Sequence, residues 1–496
     1  MKSRHPVLFT LILLSILIAG SHLCAFDALR EREPVIVFSN RFPQFINSPV
    51  EQIFAFAFDA DTHTWRQIPH QIDERDAERG YFGEVNGLLD LNEEILFMAH
   101  DAGDRASPLY WPDNADSKNY TRYEFEISDP EFPGESRYIY LFRSTTLSNS
   151  PNLPSYLTYF PSSGGSDKVV GASYSEEHTD AIPKHWIIPP EAGGAGLDFL
   201  DRQKARVNGN HSIIGSLKLT EDDLNYKSGN IFYVAGPIRI SRKAVFEIKI
   251  KKLGITLTAV DISFVKQYYP YHIHHLKANK KLDKEWGISL IRQSFDFNFN
   301  GIGMQFYNPY NHVLIDGVSD VIDHTMHLEP DYNWYCATGD AGTIVNIFQV
   351  DNVGSTQELY YWDKTNNTTY DGTKETGYDK KSYGDAGVLF RGSDMEGSLG
   401  MPMMIHFLAA NQDSIIGPQL MDNLLNPLNI DIKETSFVEN IIAEIPDTSQ
   451  RQGLDIDIPI RLQDVSGLDL TSCDMTIAFD GSVIEALDAS TTLMTA

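Results

Sequence analysis

The sequence predicts a mainly β protein built from several antiparallel β-sandwiches, and three observations predict it. Short runs rich in Val, Ile, Thr and aromatic residues recur along the chain, bounded by Gly, Pro, Asn and Asp. Apolar residues alternate with period two where the pattern is cleanest: Phe246, Ile248 and Ile250 against Glu247, Lys249 and Lys251. Cysteine is scarce, three in 496 residues, which excludes a disulfide framework and a cysteine zinc finger. Order must therefore come from apolar layers, and the chain is long enough for two or three of them.

The start of the chain reads as an export signal over residues 1–25. Lys2 and Arg4 precede an apolar run at residues 7–19, and small residues follow, with cleavage expected after Ala25. The run is short for a membrane span. Leu23 before Cys24 argues against lipidation, because lipoprotein signals place a small residue there. Cleavage removes two basic residues and no acidic one, taking the net charge from −28 to −30. A surface this acidic repels nucleic acid and anionic lipid, and suits a secreted or periplasmic protein or one at the cell surface.

Residues 30–145 are the first expected domain, a smaller β-sandwich of short strands. Within it lies Asp90-Leu91-Asn92-Glu93-Glu94, followed by His100-Asp101. A Ser-, Pro- and Asn-rich crossing follows at residues 144–166, and residues 197–207 read as a short helix. Residues 167–438 are the larger central β-domain, with an almost wholly polar loop at residues 366–384. Residues 439–452 read as a polar linker.

The centre of the chemistry is the stretch 244–275. A strand leads to a turn at Lys252-Leu253-Gly254 and a Thr/Val/Ile-rich return strand. That strand delivers Tyr268, Tyr269, Tyr271, His272, His274 and His275 at the end of the ribbon. His272 and His274 are two apart and share a face of a strand. Two imidazoles there suit zinc or another transition metal, with His324, Asp323 or His327 as a further ligand. Alternatively Tyr271 and His272 serve as acid and base in eliminating a sugar uronate, with Arg292 or Arg391 neutralising the carboxylate. A third reading leaves them as ordinary hydrogen-bonded residues at a strand end.

A second candidate is Asp90, Asn92 and Glu94, whose alternating oxygens resemble the opening of a calcium loop. An EF-hand is excluded, because Ile95 and Asp101 stand where Gly and Glu are required. Trp334, Tyr335, Tyr360, Tyr361 and Trp362 could stack on sugar rings, but aromatic side chains more often fill cores. No hydrolase elbow, phosphate loop or dinucleotide fingerprint is present.

Residues 453–496 start something new. Ile456, Ile458 and Ile460 alternate, Gly467-Leu468 turns, and Met475, Ile477 and Phe479 alternate again into Phe479-Asp480-Gly481-Ser482-Val483-Ile484. This resembles the opening of a cohesin-like β-sandwich, incomplete here. The resemblance implies scaffolding or glycan contact and a protein partner. Val234-Ala235-Gly236-Pro237-Ile238-Arg239-Ile240-Ser241, feeding a long hairpin with a Tyr-rich end, resembles supersandwich domains of mutarotase-like and polysaccharide-lyase-like proteins. Together these imply a secreted protein of carbohydrate binding or polysaccharide breakdown. The alternatives are a lyase-type enzyme using Tyr and His, and a non-catalytic cell-surface structural protein.

Overall fold

The fold was obtained as a computed structural model that describes residues 26–437, apart from 77–79, 163, 213–214, 253–254, 277–279, 327–331, 351–352, 366–368 and 378, together with 442–444 and 461–463. The signal segment and most of the cohesin-like segment lie outside the described residues.

The described chain is mainly β, with several antiparallel sheets. The alternating stretch at the centre forms the strand Ile240–Lys252, paired antiparallel with Ile255–Tyr268 from Ile240↔Tyr268 to Lys252↔Ile255. Thr, Val and Ile tolerate the extended backbone because branching at Cβ restricts them little there. This hairpin belongs to a nine-stranded sheet, which faces a five-stranded one. Ile240, Tyr268, Ile273, Ile344 and Ile405 of the first share one buried core with Leu200, Ile291, Phe295, Val388 and Phe390 of the second. Burying such side chains fully stabilises by roughly 1.5–3 kcal/mol each, so this layer holds the central sandwich together.

Residues 197–207 are not a helix. Leu200–His211 is a strand paired with Ile288–Phe297. Ala205 and Val207 alternate with Lys204 and Arg206, a period-two pattern, and both polar members are buried. Pairing with a strand on each side outweighs a local pattern that suits either element.

The N-terminal unit packs a three-stranded sheet, Pro34–Phe38, Glu94–Met98 and Gln71–Asp73, near a five-stranded one. One strand of the latter comes from the far end of the chain. Asn429–Thr435, expected with the central domain, pairs antiparallel with Arg122–Ser128. Local periodicity cannot reveal such a return, because the pairing is set by an edge that another segment builds.

Two buried arginines tie the units. Arg239 donates from Nε to Asp73 at 2.7 Å and from Nη2 to Glu94 at 2.5 Å. Arg30 bonds Asp129 from Nε at 3.0 Å and reaches the carbonyls of Asn423 and Asn426 at 3.0 and 2.6 Å. Among the described residues the sole α-helix is Ile416–Leu425, which packs Ile416 and Leu420 on Val345, Ile347 and Leu408. It covers the sheet beside the histidine strand.

Of the aromatic residues singled out above, Tyr335, Tyr360 and Tyr361 are buried and serve as core. Cys336 is buried too, and burial pushes its thiol up to about 12, so it is inert at neutral pH.

Candidate functional site

The Tyr/His cluster does not hang from a ribbon's tip. Pro270 cannot donate to a ladder, and the chain reverses there, with Tyr269 N–H donating to the His272 carbonyl at 2.9 Å. His272–His275 then forms its own short strand in the middle of the nine-stranded sheet, between Ile255–Tyr268 and Met403–Leu408. His272 lies opposite His406 and His274 opposite Met404.

The period-two expectation holds. His272 and His274 face one side, while Ile273 faces the sandwich core with Ile405. On that side lies a cavity of about 220 Å³ between the two units. His272, His274 and His406 form its polar wall with Tyr269 and Tyr271. Arg32 and Glu33 enter from the N-terminal unit, and Asn423 from the helix. Leu29, Ile36, Leu420 and Leu424 supply apolar lining.

The rings are closely ordered. His272 stacks on Tyr269 with centroids 4.6 Å apart and lies 5.1 Å from His406. The Arg32 guanidinium sits 5.2 Å over the Tyr271 ring, and His100 meets that ring edge-on at 6.3 Å. Beyond them Tyr156 donates its hydroxyl to both oxygens of Asp101 at 2.9 Å.

The titrating groups divide into two kinds. Burial holds His272 well below the ordinary imidazole range, helped by His406 and His274. Burial likewise lowers His274. Burial first, then Arg32 and His274, brings His406 down to about 3. All three imidazoles are neutral at pH 7. Burial raises Tyr271, which stays protonated. Glu33 behaves differently: burial pushes it up to about 7, although Arg30 at 3.0 Å pulls it down. Glu33 thus gains or loses a proton near neutrality.

Three buried nitrogens around this cavity have no hydrogen-bond partner in the protein: Arg32 Nη1, His406 Nε2 and Asn423 Nδ2. The arginine and amide nitrogens are donors only. An orphaned buried donor costs about 1–3 kcal/mol, so these nitrogens call for acceptor oxygens from water or a ligand.

The other expected site residues go elsewhere. Arg292 lies in the five-stranded sheet, with its guanidinium 4.2 Å from the Tyr360 ring and near Asp371 and Asp385 at 3.4 and 3.7 Å. It is not beside Tyr271 and His272; the arginine that reaches them is Arg32. His324 donates from Nδ1 to the Leu359 carbonyl at 2.8 Å and stacks on Tyr370 at 4.1 Å, so it does not join His272 and His274. His327 lies outside the described residues. Glu94 is not free to meet Asp90 and Asn92, because Arg239, Arg75 and Tyr81 occupy its oxygens. Asp90 instead accepts from Asn86 Nδ2 at 2.9 Å. Among the described residues no group of three His, Cys, Asp or Glu side chains is arranged to hold a metal ion.

Arg32, Glu33, His406 and Asn423 escaped the sequence reading. The run Arg30-Glu31-Arg32-Glu33 directly before a strand was a visible signal, since charge so close to apolar layers demands partners.

No family model matches the sequence, and no curated protein matches it. Among solved structures, an α-mannosidase from Enterococcus faecalis V583 aligns over 83% of this chain with a TM-score of 0.40 and 8% identity. The chain spans 46% of that protein's length. Nothing about the site rests on so loose an overlap.

Proposed function

We propose that this is a secreted carbohydrate-handling protein whose cavity between the N-terminal and central units binds one sugar unit of a glycan. The observation that carries this reading is the set of unpartnered buried nitrogens, Arg32 Nη1, His406 Nε2 and Asn423 Nδ2, in a cavity that is otherwise lined by leucine and isoleucine side chains as well as rings. A sugar ring offers oxygens on its rim and an apolar C–H face, and so matches both kinds of lining. At about 220 Å³ the cavity suits a single ring better than a polymer. Export rests on the signal-like residues 1–25, and a scaffolding role on the cohesin-like residues 453–496. The test is a glycan array with the full chain. Binding that is lost in Arg32→Ala and His406→Ala supports the reading, and no binding to any glycan overturns it in favour of a structural spacer.

A second reading, an acid–base enzyme acting on that sugar, is favoured by Glu33. A useful catalytic base titrates near the working pH. His272 and His406 are held too low for that, whereas Glu33 is not. If the protein is a lyase, Glu33 and not His272 moves the proton. A screen for unsaturated sugar products, abolished in Glu33→Gln with binding retained, would establish it.

A further inference from the structure

A second and larger cavity, about 320 Å³, lies within the central sandwich. Val207, Leu217 and Leu219 line it from the five-stranded sheet, and Phe246, Ile262 and Phe264 from the nine-stranded one. Phe246 and Ile262 are direct cross-strand partners, so the apolar stripe is continuous along that hairpin.

The stripe ends in a polar row. Arg242 lies opposite Lys266, and Lys266 opposite His275, across three adjacent strands. All three line the cavity. The two cations are already matched. Lys266 Nζ donates to Glu176 at 2.9 Å, and Arg242 donates from Nε and Nη2 to Asp167 at 2.6 and 2.8 Å. His275 differs: it is 7% exposed, and its Nε2 is buried without a hydrogen-bond partner in the protein.

A purely apolar void needs no such group, and an unsatisfied buried nitrogen is costly. A third cation, Arg292, also lines the cavity but already faces Asp371 and Asp385 at 3.4 and 3.7 Å, so a carboxylate head would be buried beside three cations whose charge the protein's own acids already match. An aliphatic cation would face Arg242 and Lys266 directly. A neutral oxygen head on an apolar chain satisfies His275 at no electrostatic cost. We propose that this cavity binds an aliphatic, lipid-like molecule whose single neutral oxygen group, a hydroxyl or carbonyl, hydrogen-bonds to His275 Nε2.

The test is calorimetric titration of the full chain with 1-dodecanol, dodecanoate and dodecyltrimethylammonium at pH 8. Dodecanol is expected to bind, with each charged chain weaker by about tenfold or more. Leu219→Trp, which fills the cavity, is expected to abolish binding. His275→Leu is expected to weaken dodecanol but not dodecane. If the variants do not fold, the ranking of head groups on the unaltered protein still decides. The proposal is overturned if dodecanol does not bind, if all three chains bind alike, or if folded Leu219→Trp binds as well as the unaltered protein.

Discussion

His272 and His406 lie opposite each other on neighbouring antiparallel strands, their ring centroids 5.1 Å apart, and both are held neutral by burial. At His272 the neighbouring His406 adds to the depression, and at His406 Arg32 and His274 do so. The unfolded chain has no such constraint, and its imidazoles titrate near 6.5.

That asymmetry fixes the sign of a pH effect. Below pH 6.5 the unfolded state binds protons that the folded state refuses until about pH 3 at His406. Its contribution is therefore present above pH 6.5 and lost as pH falls, at a limiting slope of about 1.4 kcal/mol per pH unit. His406→Phe should lose less stability than the unaltered protein between pH 6.5 and 4. Urea midpoints across that range test it; parallel curves would show that the imidazole is not kept neutral.

Glu33, on the same cavity, works in the opposite sense. Its folded value of about 7 lies above the ordinary carboxyl range, so its contribution is present at low pH and lost as pH rises through 7. Glu33→Gln should therefore gain stability relative to the unaltered protein as pH climbs from 4.5 to 7. The expected gain is about 1–3 kcal/mol, reduced because the side chain is partly exposed. The two variants should thus diverge in slope, and melting both across one pH series separates them.

How much of this was legible follows from what local pattern can encode. The shared face of His272 and His274 was legible, because a strand's period is a property of the strand. Their partners were not: Arg32 arrives from the first strand's approach and Asn423 from a helix near the other end of the chain. Long-range juxtaposition leaves no periodic trace. Arg292 shows the converse error. With Ser294 and Asp296 it alternates against Ile291, Phe295 and Phe297, as a solvent-facing strand would. All three polar residues are buried instead, because the polar loop brings Asp371 and Glu375 over them. Polarity told the face apart but not what covers it.

Gly387 shows why that covered face can form. It pairs with Ser294 on one side and Tyr360 on the other. A Cβ there would stand 2.1 Å from the Gln293 carbonyl oxygen and 2.6 Å from Ser294 Cα, both backbone atoms. Neither can step aside without shifting a central strand. Gly387→Ala should cost about 1–3 kcal/mol or more, read from the urea midpoint. A stability within about 0.5 kcal/mol of the unaltered protein would show that the strands lie further apart.

Arg239 carries the sharpest consequence for the site, because it joins the two units that enclose the cavity. Its guanidinium bonds Asp73 and Glu94, and sits 4.7 Å over the Tyr81 ring. Burial opposes its charge, but Tyr269, then Asp73, Tyr81 and Glu94, raise it above its ordinary range. Removing the cation leaves two buried acids without their shared partner, a loss of about 3–5 kcal/mol. Arg239→Lys should not rescue it, since one ammonium cannot reproduce a planar fork aimed at two acceptors. The cavity's walls would then lose register, because Tyr269, which stacks on His272, also accepts from Arg239 Nη1 at 3.4 Å. Arg239→Ala should therefore lower both the urea midpoint and glycan affinity, whereas Arg75→Ala, at the exposed side of Glu94, should change neither by more than about 1 kcal/mol. Equal effects from the two substitutions would mean that the junction rests on its apolar contacts and not on this buried pair.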